Sequence, residues 1–228
     1  MSCINIHAPA ADVFTTQSAG LLAAILRRNI TDHGRCTIGL SGGSTPRPVY
    51  EILGKAAGID WSAVTVFLVD DRCVRADSPH SNQFLLRSTL LRAAPIPESQ
   101  VLFPDPSLAP DDSAEEYGRV LAPIVTRGID AVVLGLGADG HIASLFPPVP
   151  DTAAGPALVI ATHTDRFDIP QRISVTLPVL TSAREAVVLL GKDKKSAWEE
   201  LRANEEDWHR WPLKAVTEKV ETTAVLGW

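Results

Sequence analysis

Short apolar runs alternate with helical stretches along this chain, and most of the runs end in glycine or charged residues. The runs are Cys36–Leu40, Val64–Val69, Ala131–Leu136, Leu158–Ala161, Ile173–Leu177 and Ala186–Leu190. Each has strand length, and a nearly continuous apolar strand is one covered on both faces, as in a parallel sheet. Residues 12–29 read as a helix, with Val13, Leu21, Leu22, Ile25 and Leu26 at helical spacing. A second helix is expected from Pro46 to about Ala57. A third runs from Asp112 to about Val125, after the Pro-rich loop 95–110, with Asp111, Asp112 or Ser113 available as its cap. The expected fold is α/β: a single domain over residues 1–228, with a mainly parallel, Rossmann-like sheet carrying helices on both faces.

A chain of 228 residues buries a core without a disulfide or metal staple. Cys3, Cys36 and Cys73 are odd in number and widely spaced, which argues against a zinc knuckle or redox motif and for a reducing, cytoplasmic setting. The start, Met1-Ser2-Cys3-Ile4-Asn5, has no basic region followed by an apolar run, so no signal peptide is expected, and no apolar stretch reaches membrane-spanning length. Net charge is −6 and no Lys/Arg run marks a nucleic-acid face. The expected state is a monomer or small homo-oligomer with neither nucleic acid nor membrane as partner. An acidic protein that binds an anion must gather its positive charges locally.

The chemistry is expected where strands end, because ligands of open α/β sheets bind outside the carboxyl ends of the strands. Ser41-Gly42-Gly43-Ser44-Thr45-Pro46 follows the first run and reads as an anion cradle: glycines permit close backbone approach, Ser44 or Thr45 can cap, and the next helix would aim its N–H groups at the anion. A well-capped strand-to-helix turn would have the same residues. Gly39-Leu40-Ser41-Gly42-Gly43 also matches the serine-hydrolase elbow formally, although Pro46 starts the helix several residues late. Gly135-Leu136-Gly137-Ala138-Asp139-Gly140 has dinucleotide-motif spacing, but Pro147-Pro148 stops the required helix, so no cofactor is expected. No metal-ligand spacing occurs either.

His141 is the candidate general base, in a Gly-rich loop two residues after Asp139, a carboxylate able to orient it. His7, His33, His163 and His209 are read as structural. Asp70-Asp71-Arg72 ends a Val-rich strand. Arg72, Arg172 and Lys194, on separate elements near strand ends, form with the 41–45 loop the positive cluster a phosphate would require. Trp198, Trp208, Trp211 and Trp228 are read as packing.

Five ordered segments resemble the 6-phosphogluconolactonase and glucosamine-6-phosphate deaminase family. They are residues 41–46, Asp70-Asp71-Arg72-Cys73-Val74 with Ser81-Asn82, residues 135–147, residues 172–178, and Gly191 with Lys194. Phe146 stands where the deaminase branch carries a glutamate, and Ser144-Leu145-Phe146-Pro147 has the lactonase form. Asp71 replaces a usual Glu, Ser78 stands where lactonases often have His with His80 two residues later, and Ile142 resembles the deaminase form. The resemblance implies hydrolysis of 6-phospho-D-glucono-1,5-lactone without metal or cofactor. It implies His141, Asp139 and Asp70 as catalytic residues, and Ser41, Gly42, Gly43, Ser44, Thr45, Arg72, Arg172 and Lys194 on the phosphorylated sugar lactone. The alternatives are a deaminase on the same fold, a Ser41-dependent esterase, and a non-catalytic sugar-phosphate sensor.

Overall fold

The protein is described by a computed structural model covering residues 3–228; Met1 and Ser2, part of the segment read for a leader, lie outside the described residues. In chain order the elements are β1 (Cys3–His7), α1 (Ala11–His33), β2 (Cys36–Leu40), α2 (Arg47–Leu53), β3 (Val64–Leu68), β4 (Asp70–Arg72), α3 (Asn82–Ser88), α4 (Leu90–Ala93), β5 (Val101–Leu102) and α5 (Pro110–Arg127). They continue with β6 (Ile129–Leu134), β7 (Val159–His163), β8 (Gln171–Val175), α6 (Leu177–Thr181), β9 (Ala183–Leu190), α7 (Lys195–Ala203), α8 (Leu213–Lys219) and β10 (Glu221–Leu226). Among the described residues, no helix is long and apolar enough to cross a membrane.

Seven strands form one parallel sheet in the order β1-β10-β9-β6-β2-β3-β5. Alternate side chains enter two cores. Val64, Val66 and Leu68 of β3 face the core beneath α1 and α2, whereas Phe67 faces the core beneath α5 and α8. Likewise Val187 and Leu189 of β9 point one way, and Ala186, Val188 and Leu190 the other. Burial on both faces is why these strands read as continuous apolar runs. From β2 the chain steps outward through β3 and β5. It then returns to lay β6 on the other side of β2 and proceeds the opposite way through β9 and β10. The order reverses between β2 and β6, the place where such sheets open a crevice.

The runs at 158–161 and 173–177 do not join this sheet. β7 and β8 instead form a three-stranded antiparallel sheet with β4, in the order β4-β8-β7. The connection 164–170 is too short for the crossover that parallel neighbours need, and it closes a hairpin. Asp70-Asp71-Arg72 is thus a strand, with Arg72 opposite Arg172. Val159, Ile173 and Val175 bury in the same core as β6 and α5, so the small sheet is packed onto the large one. Edge strand β1 and its neighbour β10 escape the pattern because Asn, Thr and Glu dilute their apolar residues.

Helix ends also differ from expectation. α1 runs on to His33 and stops at left-handed Gly34 (φ 72°), whose N–H reaches Ile30 O at 2.8 Å. α2 is shorter than expected, Pro46 is its N-cap, and neither Ser44 nor Thr45 caps it. α5 starts with Pro110 after Ala109, so Asp111 and Asp112 lie inside the first turn, where they complement the helix dipole instead of capping. Trp198 and Trp211 are buried, and Trp208 and Trp228 pack against the same core.

Tyr117 of α5 stitches the sheet just below the crevice. Its hydroxyl accepts from Leu68 N at 3.0 Å and lies 3.0 Å from both Leu68 O and Leu102 O. Tyr117→Phe would strand these buried backbone groups at the end of β3, two residues before Asp70. Urea denaturation should show a loss of about 1–3 kcal/mol, with the fold retained.

Candidate active site

Parallel strands end at one edge of the sheet, and the loops leaving β2, β6 and β9 meet there. With β4 and β8 they enclose a cleft of about 610 Å³. Ser41, Gly42, Gly43, Ser44, Thr45, Asp70, Arg72, Asp139, His141, Arg172 and Lys194 all line it, so every residue singled out in the sequence for this site reaches one cavity.

At one end is the loop 41–45. Among the described residues, the N–H groups of Gly42, Gly43, Ser44 and Thr45 have no protein acceptor. Gly42 is required by close approach, since a Cβ there would collide with the Asn82 amide. The Oγ of Ser41 is buried without a hydrogen-bond partner, and His141 is engaged with Asp139; no Ser–His pair of the elbow type forms. Arg72 and Arg172 face each other across the β4–β8 register. Arg172 is nine-tenths buried, with Nε donating to Ile169 O at 2.9 Å. Burial, then the neighbouring Arg72 charge, lowers its pKa from the ordinary value. Among the described residues no carboxylate forms a salt bridge with either guanidinium, whereas Lys194 pairs with Asp193 at 2.9 Å. Two arginines without a salt-bridged carboxylate, beside N–H groups without a protein acceptor, form an arrangement whose charge and donors suit a dianion.

At the other end, His141 Nδ1 and Asp139 Oδ1 are 2.5 Å apart. Gly137 permits this, because a Cβ at that position would overlap both side chains. Burial alone would raise the Asp139 pKa. It is outweighed by the hydrogen bond and charge of His141 and by Arg166, whose Nη1 donates to Oδ2 at 2.8 Å, and the carboxyl is held well below the usual range. An ionised carboxylate only accepts, so Nδ1 carries the proton and Nε2 is the basic nitrogen. Phe146 packs against the imidazole with ring centroids 4.8 Å apart. Among the described residues no group of three or more His, Cys, Asp or Glu is arranged to hold a metal ion.

Residues 9–225 match the family described as glucosamine-6-phosphate isomerases/6-phosphogluconolactonase. The chain belongs to this family. A probable 6-phosphogluconolactonase of Dictyostelium discoideum is 33% identical over 209 residues, 89% of each chain. A 6-phosphogluconolactonase of Synechocystis sp. is 36% identical over 210 residues, covering 88% of this chain and 85% of the relative. Among solved structures, a 6-phosphogluconolactonase from Shewanella baltica superposes with a TM-score of 0.86 at 28% identity, covering 98% of this chain and 97% of that one. The 6-phosphogluconolactonase from Thermotoga maritima gives 0.84 at 25% identity, covering 98% of both chains.

Within this family member the two adjacent aspartates have different surroundings. Asp70 lines the cleft; its Oδ2 accepts from Ser144 Oγ at 2.7 Å, and Asn82 Nδ2 donates to its carbonyl at 2.9 Å. Asp71 turns away and accepts from Arg72 N, Asn82 N, Ser81 Oγ and Gln83 N at 2.7, 2.7, 3.0 and 3.2 Å. It thereby fixes the start of α3, while the Asn82 side chain is held by Asp70. His80 is exposed; its carbonyl accepts from Arg72 Nη1 and its backbone N–H donates to Ser78 Oγ at 3.3 Å. Asn82, Ser144, Arg166 and Phe167 also line the cleft. The sequence places Asn82 and Ser144 inside segments that resemble the family but gives none of the four a role, and the hairpin residues Arg166 and Phe167 carry no pattern of their own.

Burial, reinforced by Asp70, pushes the Asp71 carboxyl up to about 6 against the hydrogen bonds it accepts. The folded pKa exceeds the unfolded one, so this group's contribution to stability is complete below about pH 4 and lost as pH rises through about 6. Between those limits the wild type should lose about 2–3 kcal/mol relative to the trend of Asp71→Asn in urea titrations. Parallel trends in the two proteins would contradict the assignment.

Proposed function

We propose that the protein is a 6-phosphogluconolactonase acting on 6-phospho-D-glucono-1,5-lactone, with His141 as general base and no metal in the reaction. The observation that carries this reading is one cleft holding an unneutralised Arg72–Arg172 pair at one end and an oriented imidazole at the other. The names of its relatives point the same way.

The phosphate, with a charge of about −1.5 to −2, binds the 41–45 N–H groups with Arg72, Arg172 and Lys194. Anchoring it there presents the lactone carbonyl to His141. Nε2 takes a proton from water as the water oxygen bonds to the carbonyl carbon, giving a tetrahedral oxyanion. Collapse breaks the bond from that carbon to the ring oxygen, and the imidazolium returns its proton to that oxygen. The carboxylic acid then ionises to give 6-phosphogluconate. Asp139 keeps the proton on Nδ1 and stabilises the imidazolium, while Asp70 holds the Asn82 and Ser144 side of the cleft. Phe146, in the position of the deaminase glutamate, is an apolar ring against His141 and offers no further proton carrier, which favours hydrolysis over deamination.

Acid release from freshly generated phosphorylated lactone should exceed the spontaneous rate, with unphosphorylated gluconolactone scarcely accelerated and chelator without effect. His141→Ala should lower kcat by about 10²–10⁴-fold with KM little changed, and Arg172→Ala should mainly raise KM. Background rates with folded wild type would remove the proposal; ammonia release from glucosamine 6-phosphate would replace it with deamination.

A further inference from the structure

The β7–β8 hairpin bends over the reacting end of the cleft, and the reaction just described uses none of its tip. Arg166, half exposed there, divides its guanidinium between two partners. Nη1 donates to Asp139 Oδ2 at 2.8 Å, and Nη2 to Pro147 O at 3.3 Å. One planar fork therefore ties the hairpin to the loop after β6 on both sides of His141. Phe167 follows, with its ring 5.7 Å from the His141 ring and edge-on to it. It is a large apolar side chain left 45% exposed at the cleft wall.

An exposed ion pair adds little to stability, so the value of this contact is geometric. Rotation of an aspartate about its last torsion is broad. With Oδ2 held by Arg166, Oδ1 is left directed at His141 Nδ1, at 2.5 Å. Arg210 Nη1 holds the Asp139 carbonyl at 2.9 Å, not its carboxylate. Asp70, Arg72, Arg172 and Lys194 face the pair from other walls of the cleft. Among the described residues, Arg166 is thus the single cation bonded to the carboxylate that orients the base.

We propose that Arg166 is a positioning residue. It locks the Asp139 carboxylate so that His141 is kept as the Nδ1–H tautomer with Nε2 toward the attacking water. This rests on the lactonase reading, in which His141 is the base.

The test compares Arg166→Met and Arg166→Lys in the full chain. Arg166→Met should lower kcat roughly tenfold or more, with KM within about twofold and the melting temperature unchanged. The acid limb of its kcat/KM profile should move to higher pH, because Arg166 is one of the groups that hold the Asp139 carboxyl low. Arg166→Lys keeps the charge but not the fork, so the limb should return while kcat recovers only in part. Unchanged kcat and acid limb in Arg166→Met would overturn the proposal. So would a large rise in KM at constant kcat, which would make Arg166 a substrate contact. Nitrogen-15 shifts of the His141 ring judge the same point without turnover: wild type should be Nδ1–H and Arg166→Met a mixture of tautomers. An identical tautomer population in both proteins overturns the positioning role. A wild type that fails to hydrolyse the lactone overturns only the lactonase reading.

Discussion

The pairing of β2 with β6 is the contact on which the site depends. Ile38, Gly39 and Leu40 lie against Ala131, Val132 and Val133 in parallel register, so the two strands end side by side at the same edge. Their next residues are the 41–46 loop and the 135–141 loop. A shift of one residue would turn each apolar side chain to the opposite face, and both cores forbid it. The register that fills the cores therefore also sets the distance between the 41–45 loop and the imidazole. Because the strand order reverses between these two strands, their loops diverge and leave a crevice instead of packing together.

Charge is handled against the balance of the whole molecule. The protein carries a net −6, yet Arg72 and Arg172 are adjacent without a carboxylate partner among the described residues. Burying Arg172 beside another cation lowers its pKa, a cost the folded chain bears before any ligand arrives. The nearby carboxylates have other tasks. Asp71 accepts backbone and hydroxyl hydrogen bonds around α3, and Asp139 serves His141 and Arg166. With these anions engaged elsewhere, neither Arg72 nor Arg172 has a salt-bridged carboxylate among the described residues, and in the proposed lactonase reading a phosphate ester would meet that charge.

Much of this was legible in the sequence, for physical reasons that can be named. Strands buried on both faces, such as β3 and β9, announce themselves as apolar runs, and the glycines around Ser41 and His141 mark where backbone or side chains must approach closely. What could not be read is pairing. The runs holding Val159 and Ile173 look like parallel strands, and only the short 164–170 connection betrays a hairpin. Edge strand β1 and its neighbour β10 have too few apolar residues to stand out. Capping was misread at α2 and α5 because prolines, not hydroxyls, open both helices. Arg166 gave no signal, since its meaning lies in meeting Asp139 from 27 positions away.

The small antiparallel sheet then has a purpose beyond covering the core. Arg172 near the start of β8 lies opposite Arg72 at one end of the cleft, and Arg166 in the preceding hairpin lies at the imidazole end. Phe167 lies between them, with the Arg172 guanidinium 5.7 Å from its ring centre and the His141 ring equally distant on another side. One short hairpin, pinned to β4 through the Arg72–Arg172 register, thus spans both ends of the cleft. In the proposed mechanism, an element that holds the anchor and the base together would convert phosphate binding into orientation of the carbonyl, which is where anchoring far from the reacting bond gains its catalytic value.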